Sequence, residues 1–436
     1  MKAVVIGPGR IGCGFAGQLL RASGHEVSFL ARNPALVDHL NRLQRYRVCL
    51  VGGVERREIV VDGVRAVSTA DAESAVRELA AADLIVTAVG AGNLPRIAPL
   101  IAAGLQRRGT PVNTVAFENL SNAGPYLRQL VADHLPAGSA LAGHGFSGSV
   151  VSRAVTERLG DPAGTEPLVF VGDPASTFAV SGPELHRPLP EIEGMIVTDD
   201  LAAWMKRKLY VFSAGHATCA YLGYLKGYHY IHTAIRDPEI RAVVLAAMRE
   251  GQRGVAALYG PEFAGDESGL RLILARFENA ALHDSITRVG RDPARKLAPE
   301  DRLVGAAQLA QRAGVRPARL GLAAAAFCFD PDDPSAARLQ SDIETAGLGP
   351  ALRQVSGLDP RRGLGRLVKN CWARLARGWQ RDNVLLSLDR LLWAWTPRQR
   401  GAARSAPGSV PYRERSSNGG FALRLERSHR ARGRLA

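Results

Sequence analysis

Cysteine is scarce in this chain of 436 residues. The five present, Cys13, Cys49, Cys219, Cys328 and Cys371, are scattered with neither a CxxC pair nor zinc-ligand spacing. That pattern excludes a disulfide scaffold and leaves reduced thiols as the expectation. No metal site is expected. Long hydrophobic runs are missing too: none approaches the roughly 18 residues of a membrane span. The chain enters an apolar strand at Lys2 without a charged and apolar leader. We therefore expect a cytoplasmic protein without a transmembrane segment, acting as a monomer or a small homo-oligomer.

Acidic residues are in deficit, and the deficit is local. Lys and Arg total 56 against 41 Asp and Glu, a formal net charge of +15. From Pro360 to the end there are 18 basic and 4 acidic residues, +14 of that total, so residues 1–359 are nearly neutral at +1. A body with no basic stripe does not track a phosphate backbone, and no nucleic-acid partner is expected for residues 1–359. Residues 360–436 hold four of the five tryptophans, and all but one of their basic residues are arginine. Three readings of this tail stand. It is an RNA or anionic-membrane arm with Asn383 to Arg398 as an interfacial helix, a disordered Arg-rich extension without a partner, or a non-native stretch from a shifted reading frame.

A chain of this length exceeds one core, since single cores stop growing near about 250–300 residues. We expect a dinucleotide-binding domain over residues 1–195, a helical substrate and catalytic domain over 196–359, and the basic tail over 360–436. The fold class is α/β, a Rossmann-type doubly wound parallel sheet followed by a mostly α-helical domain. Lys2 to Ile6, Glu26 to Leu30, Asp83 to Val89 and Val112 to Phe117 read as buried strands, with helices over Ile11 to Ala22 and Leu94 to Gln106. From Asp199 onward the periodicity is helical.

Gly7, Gly9 and Gly12 form GxGxxG between the first strand and the first helix. In that context the first glycine allows a tight turn, the second lets the backbone approach a pyrophosphate, and the third lets helix and strand pack closely. The helix N-terminus adds free amides and a partial positive charge, so Gly7, Gly9, Arg10, Ile11 and Gly12 are expected to hold NAD or NADP. An NAD site commonly has an acidic residue at the end of the second strand. Here Ala31 and Arg32 occupy that place, and an arginine suits a 2′-phosphate, which favours NADP unless Arg32 is only a surface charge.

RKLYVFSAGHATCAYLG, Arg207 to Gly223, sets Lys208, Ser213 and His216 at five- and three-residue spacing. It is either a proton-transfer site or a helix with a solvated lysine and a core histidine. At about 100° per residue Ser213 and His216 share a face, but Lys208 lies about 140° from Ser213. A straight helix does not converge all three, so either the lysine reaches round or the helix is irregular near Lys208.

Together with MKAVVIGPGRIGCGF at the start and RFENAALHDSITRVGRDPARKLAPEDRL from Arg276 to Leu303, this segment resembles the polyol-specific long-chain dehydrogenases. The resemblance runs to about Asp359. It implies reversible hydride transfer between a sugar-alcohol phosphate and a ketose phosphate, mannitol 1-phosphate and fructose 6-phosphate, without a metal. It further implies Lys208 as the base, with Asn119, His216 and Ser213 as donors to the reacting oxygen. Lys208 would need its ordinary pKa of about 10.4 lowered by two to three units, which burial can supply.

The pattern also departs from that family. Ser213 stands for an asparagine, Ser152 for an aspartate, Thr156 and Ala280 for prolines. Arg153 is kept, to bind substrate or brace the domains. Arg288, Arg291, Arg295, Lys296 and Arg302 form either a sugar-phosphate site, with Arg291 and Arg295 foremost, or a solvated basic face. The alternatives are a dehydrogenase of an unphosphorylated polyol or related sugar, and a cofactor-binding sensor that has lost turnover.

Overall fold

The computed structural model describes residues 1–52, 55–136, 141, 143–326 and 333–379. Its strands are β1 (Lys2–Ile6), β2 (Glu26–Ala31), β3 (Arg45–Gly52), β4 (Glu55–Asp62), β5 (Val64–Ser68), β6 (Leu84–Thr87), β7 (Asn113–Ala116), β8 (Gly145–Val151), β9 (Val155–Leu159), β10 (Val169–Gly172), β11 (Phe178–Ser181) and β12 (Met195–Thr198). The main sheet runs β12-β11-β8-β7-β6-β1-β2-β5. Its neighbours are parallel except β8 with β11.

Parallel strands covered on both faces read as continuous apolar runs, and every residue of β6 and β7 is buried. Alternate side chains of β1 serve opposite faces. Val4 and Ile6 pack with Leu79, Leu94, Ile101 and Leu127 of the helices Ala72–Ala80, Leu94–Gln106 and Ala123–Ala132. Ala3 and Val5 pack with Phe15, Leu19, Phe29, Tyr46 and Phe170. Strand order reverses at β1, with β2 and β5 on one side and β6 and β7 on the other. That reversal opens the crevice in which such sheets bind nucleotides.

A second sheet, β4-β3-β10-β9, has no counterpart in the sequence reading. β4 is exposed at most of its positions, so it shows no clean alternation. The pairing that closes this sheet, β3 with β10, joins Arg47 to Val169, far apart in sequence. The expected domain boundary after residue 195 falls inside β12, which still belongs to the main sheet.

Beyond β12 the described residues are mostly helical, and Ala214–Leu225, Pro238–Tyr259, Val304–Arg312 and Ala318–Ala326 pack on one another. The expectation that residue 360 opens a separate tail needs correction. The helix Gly363–Trp379 buries Leu364, Leu367, Val368 and Leu375 and packs against Ala318–Ala326. Those residues recur at helical spacing, a stripe masked in composition by the arginines between them. The expected interfacial helix over Asn383 to Arg398 lies outside the described residues. No helix among the described residues is long and apolar enough to cross a membrane.

Candidate active site

Asp200 opens the helical half by accepting the amide of Ala203 on its side chain at 2.8 Å. The helix Leu201–Arg207 then lays Leu201 and Met205 on Val150 and Ala179 of the main sheet. After Arg207 the bonding changes: Lys208–Ser213 is π-helical, and Ala214–Leu225 returns to α. A turn closed by i→i+5 bonds brings residues five apart over one another, so Lys208 and Ser213 come to the same side. Of the two ways open to the sequence, the irregular helix is the one found. Gly251 makes room for it, because a Cβ there would overlap the carbonyl oxygen of Tyr210.

Lys208 is half-buried. Loss of hydration pushes its amine down to about 8, aided by the positive charges of Arg276 and Arg302. His216 stacks on Phe277, ring centres 4.8 Å apart, and lies 5.7 Å from Phe212. Its Nε2 is 3.1 Å from Oδ2 of Asp284. Burial works to raise the Asp284 carboxyl, but His216 and Arg288 outweigh it and hold it below its ordinary range. An ionised carboxylate only accepts, so Nε2 carries the proton and Nδ1 is the nitrogen left to face a substrate. Neutral His216 accepts there, and the imidazolium donates.

The glycine turn follows the steric logic of its sequence. Gly7 has φ +98°, and a Cβ on Gly12 would overlap the carbonyl oxygen of Gly7. A Cβ on Gly9 would meet no protein atom, so protein packing does not demand that glycine. The expected helix over Ile11 to Ala22 begins as a π-helical segment, Gly12–Gly17, and continues as Gln18–Ala22. Arg153 is committed to bracing this segment. Its Nη1 donates to the Gly14 carbonyl and Gln18 Oε1 at 2.9 and 2.8 Å, its Nε donates to the Ala175 carbonyl, and its guanidinium lies 5.0 Å from the ring centre of Phe15. Burial lowers its pKa to about 10.

The family model for the mannitol dehydrogenase Rossmann domain matches residues 1–194, and that for the mannitol dehydrogenase C-terminal domain matches 200–353. A mannitol-1-phosphate 5-dehydrogenase of Brevibacillus brevis is 37% identical over 390 residues, covering 87% of this chain and 99% of the relative. The chain belongs to the mannitol dehydrogenase family. A Bacillus licheniformis protein of the same name is 38% identical over 84% of this chain and 98% of its own length. Two solved structures share the fold. Pseudomonas fluorescens mannitol 2-dehydrogenase, a ternary complex with NAD and D-mannitol, has TM-score 0.69 and 17% identity over 90% of this chain and 94% of its own. A D-sorbitol dehydrogenase has TM-score 0.71 and 15% identity over 86% of this chain and 93% of its own. As a family member the chain is an oxidoreductase of polyols.

The nicotinamide dinucleotide of such enzymes fits the residues present. Gly9 offers backbone without a side chain at the head of a helical stretch, where phosphates are held by free amides. Arg10 and Ile11 follow it, with Arg10 Nη1 donating to the Thr156 carbonyl at 3.0 Å. Arg32 is exposed immediately after β2. Asn119 is exposed just beyond β7. Its neighbour Glu118 is buried and ties the turn to the end of β6. Oε1 accepts from Val89 N at 2.8 Å and Thr87 Oγ1 at 3.2 Å, and Oε2 accepts from Gly90 N at 2.8 Å.

The basic block splits. Arg291 and Arg295 are exposed, and Arg295 is paired with Asp292 and Asp301. Lys296 is buried at 3% exposure and donates to the Arg291 carbonyl. Burial, then Arg302 and Arg295, push it down to about 7. The sequence reading missed Asp284, Glu118 and the burial of Lys296. Glu118 could have been noticed beside Asn119, but nothing in spacing links Asp284 to a histidine 68 positions earlier.

Proposed function

We propose that this protein interconverts mannitol 1-phosphate and fructose 6-phosphate with a nicotinamide dinucleotide, without a metal, using Lys208 as the acid–base group. One observation carries the reading: an amine with no carboxylate partner among the described residues, lowered to about 8, on a π turn that also presents Ser213 and leads into His216. The names of the relatives at 37–38% identity support the substrate. In oxidation, neutral Lys208 takes the hydroxyl proton while charge grows on the oxygen. His216, ordered by Asp284 through Nε2, faces that oxygen with Nδ1, and the Asn119 amide and the Ser213 hydroxyl are the donors that meet the charge. In reduction, the Lys208 ammonium returns the proton. The bound dinucleotide accepts or supplies the hydride. The hydroxyl of Ser213 is a shorter donor than an amide, and a lost oxyanion donor costs about 2.7–4 kcal/mol, so turnover below that of an asparagine-bearing site is expected. Arg291 and Arg295 are the groups we assign to the substrate phosphate. Arg32 is assigned to a 2′-phosphate, so NADPH is expected to serve better than NADH.

The test is oxidation of NADH and NADPH by the full chain with fructose 6-phosphate or free fructose, beside Lys208→Ala. Turnover with the phosphorylated ketose that depends on Lys208 supports the assignment. Turnover with the free ketose alone moves the substrate to an unphosphorylated polyol. Dinucleotide binding without turnover on either ketose refutes it.

A further inference from the structure

Among the described residues, polar side chains of the helical half also cross to the dinucleotide-binding half. Asn279 Nδ2 donates to the Val51 carbonyl at 2.6 Å, and His283 Nδ1 lies 3.2 Å from Glu157 Oε1. Arg276 makes another crossing, and its partners differ in kind. Its Nη2 donates to the Ser152 carbonyl at 2.6 Å and to Asp173 Oδ2 at 2.7 Å. Asp173 is 1% exposed. Its oxygens also accept the amides of Ala154 and Ala175 at 2.7 and 3.0 Å, so the carboxylate is fixed by the chain around β9 and β10. The far side of the Arg276 guanidinium rests on Phe212, with Cζ 4.7 Å from the ring centre. Phe212 belongs to the π turn that bears Lys208 and Ser213, and its ring also meets Phe277 at 5.4 Å and His216 at 5.7 Å.

We infer that Arg276, held in place by Asp173, is a positioning residue for Lys208: it fixes the π turn through Phe212 and presents a positive charge to the amine from a point pinned to the dinucleotide-binding half. The consequence for rate rests on Lys208 being the base; the consequence for the amine itself does not.

The surrounding charges leave this role to few groups. Lys206, on the same helical stretch, donates to Tyr210 Oη at 2.9 Å. On the packed helix Pro238–Tyr259, Arg249 is paired with Glu267, and Glu250 accepts the amides of Arg319 and Leu320. His216 is held by Asp284. Glu300 receives the Tyr210 hydroxyl on its carbonyl, and Asp301 pairs with Arg302 at 2.7 Å. Arg276 and Arg302 are the charges felt by Lys208, and of the two only Arg276 is anchored across the halves. Asp173 and Arg276 then act on the amine with opposite sign: one supplies charge, the other tempers it.

That opposition makes the test. The full chain, as wild type, Arg276→Met, Arg276→Lys and Asp173→Asn, is treated with acetic anhydride over a pH series, and acylation of Lys208 is followed by peptide mass spectrometry. The reagent reacts with the neutral amine, so the midpoint reports Lys208 directly; in the wild type it is expected near 8. Arg276→Met should move the midpoint up by about one pH unit, Arg276→Lys should bring it most of the way back, and Asp173→Asn should move it down. The pH profile of kcat should follow in each case, with KM changing less. Unmoved midpoints, or shifts of one sign in all three variants as a merely loosened fold would give, overturn the inference. If the midpoints move as stated but Lys208→Ala keeps its turnover, the assignment of the base fails while the positioning role stands.

Discussion

Replacing Lys208 by Met tests stability and chemistry through one buried charge. The amine falls from an ordinary 10.5 to about 8 in the native protein, and each pKa unit is worth about 1.4 kcal/mol. Holding Lys208 charged in the folded state therefore costs at most about 3.5 kcal/mol, and about 3 kcal/mol or less once solvent screening of a half-buried side chain is allowed for. The sign follows from proton counting. Between pH 8 and 10.5 the unfolded chain keeps the proton that the native amine has released, so stability rises with pH across that window and is lowest below it. Lys208→Met should thus unfold at higher denaturant than wild type at pH 7, by up to about 3 kcal/mol, with the gap closing by pH 10.5. Denaturant titrations at four pH values measure this directly. Activity moves the other way. Wild-type alcohol oxidation should climb about tenfold per pH unit until about 8 and then level, while ketose reduction falls above 8. The variant should lose about 10²–10⁴-fold in both directions. A Lys208→Met protein less stable than wild type by the same amount at pH 7 and pH 10.5 would refute the buried-charge reasoning. So would a wild-type oxidation rate flat from pH 6.5 to 8.5 with hydride transfer rate-limiting.

Asp284→Asn removes the anion that orders His216 through Nε2; a charged hydrogen bond of about 1.5–3 kcal/mol predicts a loss of about 10–100-fold in kcat with dinucleotide binding retained, read by steady-state kinetics and dinucleotide titration. Arg32→Asp should lower the ratio of kcat/KM for NADPH over NADH by at least about tenfold, and an unchanged ratio would make Arg32 a surface charge. A chain ending at Asp359 should lose several kcal/mol, since it deletes four buried side chains, Leu364, Leu367, Val368 and Leu375, each contributing about 1.5–3 kcal/mol. Calorimetry on that chain beside the full chain measures the loss, and an unchanged melting temperature would deny Gly363–Trp379 a stabilising role.

The parallel half was legible because its information is local. β1 and the helix Leu94–Gln106 stand where apolar runs and helical periodicity put them. GxGxxG announced its turn because Gly7 and Gly12 answer to steric demands within a few residues. The family segment around Lys208 was equally plain, and with it the polyol chemistry. Tertiary structure decided what depends on distant groups. The π turn under Lys208 needs Gly251 to let another helix approach, and no one-dimensional period shows that. Asp284 reaches His216 only after distant helices of one half have packed, and Asp173 reaches Arg276 only after the two halves have met. The second sheet needs β3 to meet β10, and the stripe on Gly363–Trp379 means core only because Ala318–Ala326 lies beneath it. Residue types and short periods travel with the sequence; burial, and the charge states that follow from burial, are properties of the folded neighbourhood.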